Sequence, residues 1–201
     1  MKRFALSALF LLATILSTHA TGFVDDGWVS LQFNGRHQVS IGSVSGTTDV
    51  NTGLAIGAEF GEVLASWAEL GIGTQAEFYR SQTVYPGNFG FDDFFVFLRF
   101  PVEAGPIAFY PVGRVGYGLF TGDVSYTGTY GTLSGGLYYS AGIGLRGPVF
   151  QDPLFKNAQD FLFVEGTYDS NSGSVYDPSI GVQASVVYAA VNLYVGFGGE
   201  L

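Results

Sequence analysis

The sequence predicts an all-β fold, an eight-stranded antiparallel up-and-down transmembrane β-barrel that follows an N-terminal signal peptide. Short segments alternate apolar and polar residues with a period of two, and glycines share the polar face with single charged residues. Turn-forming residues separate these segments. A secreted, soluble barrel of the lipocalin type is the alternative, but its outer surface would be rich in glycine. A barrel that faces lipid on the outside and holds small and charged residues in a narrow interior explains the pattern better.

Composition narrows the possible functions. The 201 residues suggest one domain, and only 12% of them are charged. Cysteine is absent, which excludes disulfides, thiolate metal ligands and cysteine nucleophiles. The formal charge of −9 argues against nucleic acid as a partner. We expect no cofactor and no metal site.

Residues 1–20 have the features of a secretory signal peptide. Lys2 and Arg3 precede an apolar run at 4–16, and small residues flank a cleavage position after Ala20. An uncleaved anchor helix is the alternative, but the run is short for a membrane span. We therefore expect residues 21–201 to form the barrel domain. No later apolar run approaches the roughly 20 residues of a membrane helix, so strands must cross the membrane.

The longest regular alternation runs through residues 91–120, which form two strands joined by a short turn near Gly105. The predicted lipid-facing residues are Phe94, Val96, Leu98, Phe100, Ile107, Phe109, Val115, Tyr117 and Leu119. The predicted inward residues are Asp93, Phe95, Phe97, Arg99, Tyr110, Val112, Arg114, Gly116 and Gly118. The single arginines mark the inner face of each strand.

Six further segments show the same alternation. They lie at residues 28–41, 52–60, 69–78, 137–146, 162–169 and 187–197. Turn-rich loops are predicted at residues 43–51, 80–90, 122–135, 147–160 and 170–183. Eight strands are an even number, and the short turns near Glu62 and Gly105 alternate with longer loops, except that the link at 147–160 is long although it falls on the side of the short turns. Short periplasmic turns and long external loops are typical of outer-membrane barrels.

Charged residues on the predicted inner face form the candidate site, a lumen ion-pair network. Its members are Arg36, Glu59, Glu69, Arg99, Arg114, Arg146 and Glu165. The expected neighbours are Arg36 with Glu59, Arg99 with Glu69, and Arg146 with Glu165. A charge in a narrow lumen is tolerated only when it is paired and hydrogen-bonded. We therefore interpret the network as filling and bracing the barrel, with an ion path or a catalytic group as the alternative.

The same residue pattern argues against an enzyme. His37 is the one histidine outside the signal peptide, and its parity predicts that it faces the lipid. Ser40 faces the other way, so no base reaches a nucleophile. Glu77 and Asp93 resemble the acidic pair of barrel proteases only loosely, and we expect a solvated pair at the outer rim. The chain is therefore not expected to be an enzyme.

Three segments resemble the small eight-stranded outer-membrane β-barrel family that includes the OmpA transmembrane domain and OmpX. They are YPVGRVGYG at 110–118, GLYYSAGIG at 136–144 and FVEGTY at 163–168. The resemblance covers essentially all of the mature chain and implies a monomer in the bacterial cell outer membrane. It also implies two partners, the lipid bilayer and the barrel-insertion machinery, which reads the C-terminal strand. Family members often end in an aromatic residue, for which Leu201 is expected to substitute.

Two functional hypotheses follow from this resemblance. In the first, the barrel is closed and has a structural or surface-interaction role, with Tyr126 and Tyr130 in a loop that contacts a surface ligand. In the second, the chain resembles OmpW-type barrels and transports a small hydrophobic molecule. Phe95, Phe97 and Phe163 would then line its path.

Overall fold

A computed structural model describes residues 22–125, 131–151 and 159–200. Their strands are β1 (Gly22–Gln32), β2 (Gly35–Ile41), β3 (Val44–Val50), β4 (Gly53–Ala65), β5 (Ala68–Glu77), β6 (Arg80–Ser81), β7 (Gly87–Arg99), β8 (Val102–Ala104), β9 (Ile107–Val124), β10 (Thr132–Gln151), β11 (Gln159–Asp177) and β12 (Val182–Glu200). In this part of the chain no helix is long and apolar enough to cross a membrane. The predicted signal peptide, Tyr126, Tyr130 and Leu201 lie outside the described residues.

The strands form one closed antiparallel sheet. They pair in the order β1, β4, β5, β7, β9, β10, β11 and β12, and β12 pairs with β1 to close the barrel. Four barrel strands each consist of two segments placed end to end: β1 with β2, β3 with β4, β5 with β6, and β7 with β8. The barrel thus has eight strands, as predicted. We call the rim that holds both ends of the described chain the periplasmic rim, because short turns lie there.

Side-chain facing follows the predicted alternation on most strands. Val115 in β9 is 56% exposed, whereas the preceding Arg114 is 3% exposed. The outer surface carries large apolar residues around the barrel, including Ile56, Ile72, Ile143 and Val191. An apolar outer surface on a closed barrel is what a surrounding lipid bilayer requires.

Aromatic residues gather at the periplasmic end of the outer surface. Trp67 stacks on Phe100 with ring centroids 6.2 Å apart, and Phe23 stacks on Phe60 at 5.8 Å. All four side chains are exposed. Aromatic rings at this level anchor a barrel at the boundary between lipid and water.

The first predicted strand contains a β-bulge that the alternation did not reveal. Gln32 pairs with Asn192 and Arg36 with Ala189, so four steps in one strand match three in its neighbour. The extra residue reverses the facing of β2, because a shift of one residue turns every side chain to the other face. Gly35 then points inward, where the Tyr188 ring leaves no room for a Cβ atom.

The predicted loops are partly strand. Residues 43–51 contain β3, which pairs with β2 as a hairpin, so the prediction of a loop there was wrong. Strands β9 to β12 contain 18, 20, 19 and 19 residues and extend well into the predicted loops at 122–135, 147–160 and 170–183. A membrane strand needs only about 9–11 residues. The long strands therefore continue the barrel wall beyond the bilayer.

Candidate functional site

Side chains fill the lumen in three layers. The strand registers give the order of these layers, starting from the periplasmic rim. The ionic layer consists of Asp26, Glu59, Glu69, Arg99, Arg114, Arg146 and Glu165. The polar layer above it consists of Gln32, Gln75, Glu77, Arg80, Asp93, Ser140, Thr167, Asp169, Asn171 and Asn192. The aromatic plug consists of His37, Phe89, Phe91, Phe120 and Tyr188, towards the extracellular end.

Arg99 is the centre of the ionic layer. Its guanidinium group donates to the carboxylates of Asp26 and Glu59. It also lies 3.4 Å from Glu165 Oε1 and 3.8 Å from Glu69 Oε2. These contacts join residues from β1, β4, β5, β7 and β11, so the network ties together opposite walls of the barrel.

Arg114 reaches the same carboxylates from β9. Its Nε atom is 2.6 Å from Glu59 Oε1, and one terminal nitrogen is 2.6 Å from Glu165 Oε2. The Tyr110 hydroxyl donates to the other oxygen of Glu165 at 3.0 Å. Aromatic faces cover the guanidinium carbon, with the Tyr194 ring centroid at 5.2 Å. Each charge is thus paired and screened from water, as a dry lumen requires.

Glycines make room for this packing. The indole ring of Trp28 lies against Gly57 on the neighbouring β4, where a Cβ atom would collide with it. Phe97 lies against Gly61 and Gly71 in the same way. An eight-stranded barrel has an interior just wide enough for side chains, so large residues on one strand require small residues on another.

The structure brings together six of the seven predicted site residues and excludes Arg36. Because of the bulge, Arg36 lies on the outer face and is exposed, so the predicted pair with Glu59 is wrong. Arg99 does approach Glu69. Arg146, predicted to lie near Glu165, instead lies 2.6 Å from Glu69 Oε1. In a narrow lumen, long side chains reach across the barrel, whereas our prediction considered only neighbours along the wall.

Two charged residues of the lumen escaped the sequence analysis. Asp26 precedes the segment where we began the first strand, although it shares the inward parity of Trp28. Arg80 lies in β6, a short continuation of β5 that we interpreted as a loop. Its guanidinium group lies 2.7 Å from Glu77 Oε2, and both side chains are buried. The inward parity of Asp26 is evident from the sequence, two residues before Trp28.

Glu77 and Asp93 are not a solvated pair at the rim. Both are buried, and Glu77 accepts hydrogen bonds from Arg80, from Gln32 Nε2 at 2.5 Å and from the backbone N–H of Phe91 at 3.1 Å. Asp169, in the same layer, accepts from Ser140, Thr167, Asn192 and Tyr194. The polar layer therefore holds carboxylates mainly through neutral donors.

His37 belongs to the aromatic plug and not to the lipid face, which corrects the sequence prediction. The bulge turns it inward, where its ring centroid is 4.9 Å from that of Phe89. Phe91 stacks on Phe120 at 4.9 Å, and Tyr188 closes the other side. The Arg80 guanidinium group lies 4.4 Å from the Tyr188 ring centroid, at the boundary with the polar layer. The plug packs like a protein core.

Comparisons with known proteins agree with this fold. No family model matches the sequence, and no curated protein matches it. The crystal structure of the outer membrane protein OprG from Pseudomonas aeruginosa is similar, with a TM-score of 0.59, 14% identity, and 91% of this chain and 97% of that chain covered. The outer membrane protein AlkL, solved in DMPC lipid bilayers, has a TM-score of 0.56 and 11% identity over 90% of both chains.

Both similar structures are small outer-membrane β-barrels that match along almost their whole length. The predicted fold is therefore confirmed, and the apolar outer surface agrees with the predicted location. This chain has the fold of the small eight-stranded β-barrels of the bacterial outer membrane.

Proposed function

We propose that this protein is a closed outer-membrane barrel with a structural or surface-interaction role, exercised through its extracellular part. The observation that carries the proposal is the crossing of the lumen by Arg99 and Arg114, whose ion-paired side chains are almost fully buried. An ion passing this level would have to separate buried pairs and leave charges poorly solvated. The ionic layer therefore acts as a brace and a seal.

The extracellular part of the barrel supports the second half of the proposal. Strands β9 to β12 are nearly twice as long as a membrane crossing needs. The β2–β3 hairpin adds a further projecting edge, and most of β3 is exposed and polar. A rigid wall of this kind presents extracellular tips such as residues 178–181 well away from the lipid. We expect such tips to contact a surface ligand.

Conductance measurements in planar bilayers test the closed lumen. The unmodified protein should give no large, steady current at neutral pH. A variant with Arg99→Ala, Arg114→Ala, Phe91→Ala and Phe120→Ala loses both bracing side chains and the stacked rings of the aromatic plug, and it should conduct cations, because Glu59 and Glu165 then face an enlarged lumen. Arg36→Ala is the matched control, since Arg36 lies on the outer face. Large, well-resolved currents from the unmodified protein would contradict the proposal.

A transporter of small hydrophobic molecules is the second candidate function. One observation favours it: the extracellular half of the lumen is apolar, with buried Val39, Val50, Val175 and Val186 around the aromatic plug. A hydrophobic molecule could partition into this region if Phe91 and Phe120 separated. Phe95, Phe97 and Phe163 lie deeper, in a second apolar cluster.

Uptake of an uncharged fluorescent naphthalene derivative by protein-containing vesicles separates the two functions. The closed barrel should take up no more than empty vesicles do. Under the transport hypothesis, uptake should exceed this level and fall in Phe91→Trp, which enlarges the plug. Uptake that exceeds that of empty vesicles and responds to Phe91 would favour the transporter.

A further inference from the structure

The polar layer contains a buried carboxylate without a cationic partner among the described residues. Asp93 is 0% exposed, and its Oδ2 atom accepts from the amides of Gln75 at 3.4 Å and Asn171 at 3.3 Å. Both are long hydrogen bonds to neutral donors. Its Oδ1 atom accepts from no group in the described parts of the chain. By contrast, Asp169 has four donors, and Glu77 has Arg80.

Other acceptor oxygens lie beside this carboxylate. The amide oxygens of Asn171 and Gln75 are buried, and neither receives a hydrogen bond within the described ranges. Both residues are 1% exposed. Each uses its amide nitrogen on Asp93 Oδ2, so its oxygen is left for another donor or a cation. The three residues come from β5, β7 and β11, and the site is therefore formed only in the folded barrel.

Gly118 in β9 shows where Asp93 and Asn171 converge. A Cβ atom on Gly118 would come within 2.6 Å of Asp93 Oδ1 and closer still to Asn171 Oδ1. Two acceptors that face one point repel each other unless something positive lies between them. Because Gly118 has no side chain, both oxygens can come close to β9 and to each other at this point. Gly113, on the same strand, faces outward and has no atom within 4 Å of its Cβ position.

The charge balance of the lumen favours a cation there. The described inner face carries eight buried carboxylates, those of Asp26, Glu59, Glu69, Glu77, Asp93, Glu165, Asp169 and Asp177. Four arginines, Arg80, Arg99, Arg114 and Arg146, oppose them. Carboxylate and amide oxygens are ligands of hard cations, and Ca²⁺ accepts irregular oxygen sets completed by water.

We propose that the lumen binds one hard cation, with Ca²⁺ as the best match, between Asp93 Oδ1 and Asn171 Oδ1 beside Gly118. The cation joins β7 to β11 across the polar layer and offsets part of the excess negative charge. Because the site lies between the ionic layer and the aromatic plug, the ion is captured as the barrel folds. This cation site goes beyond the proposed function and does not depend on it.

Metal analysis of the refolded protein tests the site. The unfolded chain is freed of metal with a chelator, folded in detergent with CaCl2, and passed through a desalting column before elemental analysis. We expect a single calcium ion per folded chain and a higher urea midpoint than for protein folded with the chelator, since binding stabilises the native state. Asp93→Asn, which keeps the side-chain shape, should reduce both effects to background.

Two glycine variants locate the ion. Gly118→Ala fills the position between the oxygens and should abolish calcium retention, whereas Gly113→Ala should retain it. If Gly118→Ala does not fold, Asp93→Asn decides the question. A folded protein that retains no calcium and has the same urea midpoint in both conditions would overturn the proposal. That result is expected if Asp93 is instead protonated and hydrogen-bonded to Asn171. Calcium retention unchanged in Asp93→Asn would place the ion elsewhere and also overturn it.

Discussion

Replacing Arg99 by methionine tests whether the ionic layer holds the barrel together. Methionine keeps much of the side-chain length but removes the charge. Arg114 still pairs with Glu59 and Glu165, and Arg146 still pairs with Glu69. Asp26, however, has no other cation within 4 Å in the described ranges. One carboxylate is therefore left buried without a partner, and the expected loss of unfolding free energy is about 3–5 kcal/mol.

Urea titration of the barrel in phosphatidylcholine vesicles measures this loss. Tryptophan fluorescence follows unfolding, and the gel mobility of unboiled samples reports the folded fraction. Arg36→Met is the matched control, because Arg36 is exposed on the outer face and should change stability by less than about 0.5 kcal/mol. The two arginines have the same predicted role in the sequence pattern, so the comparison isolates the effect of position in the barrel.

A double variant shows whether Asp26 explains the loss. Adding Asp26→Asn to Arg99→Met removes the unpaired charge and should recover about 2 kcal/mol, because a neutral amide costs less to bury than a carboxylate. Equal losses in Arg99→Met and Arg36→Met would refute the bracing role. If Asp26→Asn does not raise the stability of the Arg99→Met protein, the unpaired Asp26 carboxylate is not the cause of the loss.

Three further predictions concern facing, packing and the bulge. Ile143→Arg places a charge on the lipid face near the bilayer centre and should lower the free energy of unfolding by about 2–4 kcal/mol. Thr132→Arg lies towards the extracellular end and should lower it little, and urea titration measures both. The Gly57→Val side chain collides with the Trp28 ring and should lower the free energy of unfolding by about 1–3 kcal/mol in the same titration. Gly166→Ala points into open space outside the barrel and should fold normally. Equal losses in the two variants would contradict this packing. Deleting Asn34 removes the extra residue of the bulge, so plain alternation from Gln32 keeps Arg36 outward and His37 inward, and the yield of folded, heat-modifiable protein should stay near normal. A sharp fall in that yield would mean that one extra residue does not account for the facing of β2.

The sequence by itself determined the fold class, the number of barrel strands and the facing of most residues. The reason is local: in a strand, each side chain points opposite to the one before it, so alternation such as that from Asp93 to Phe100 can be recognised without any partner strand. Glycine and arginine on the same parity then identified the interior. The predicted strand ends were less accurate, because turn-forming residues such as Ser174 and Asp177 also occur in the long strands above the membrane.

Only the tertiary structure decided which charges meet. Arg146 contacts Glu69 on β5, which is separated from β10 by two strands along the sheet, because closure of the barrel brings opposite walls within reach of one side chain. Closure and the number of strands set the width of this lumen, and alternation along one strand contains no information on either. The bulge was hidden for a related reason. An extra residue at Phe33 and Asn34 becomes evident only when β1 and β2 are paired with β12, and that pairing decides whether Arg36 or His37 enters the lumen.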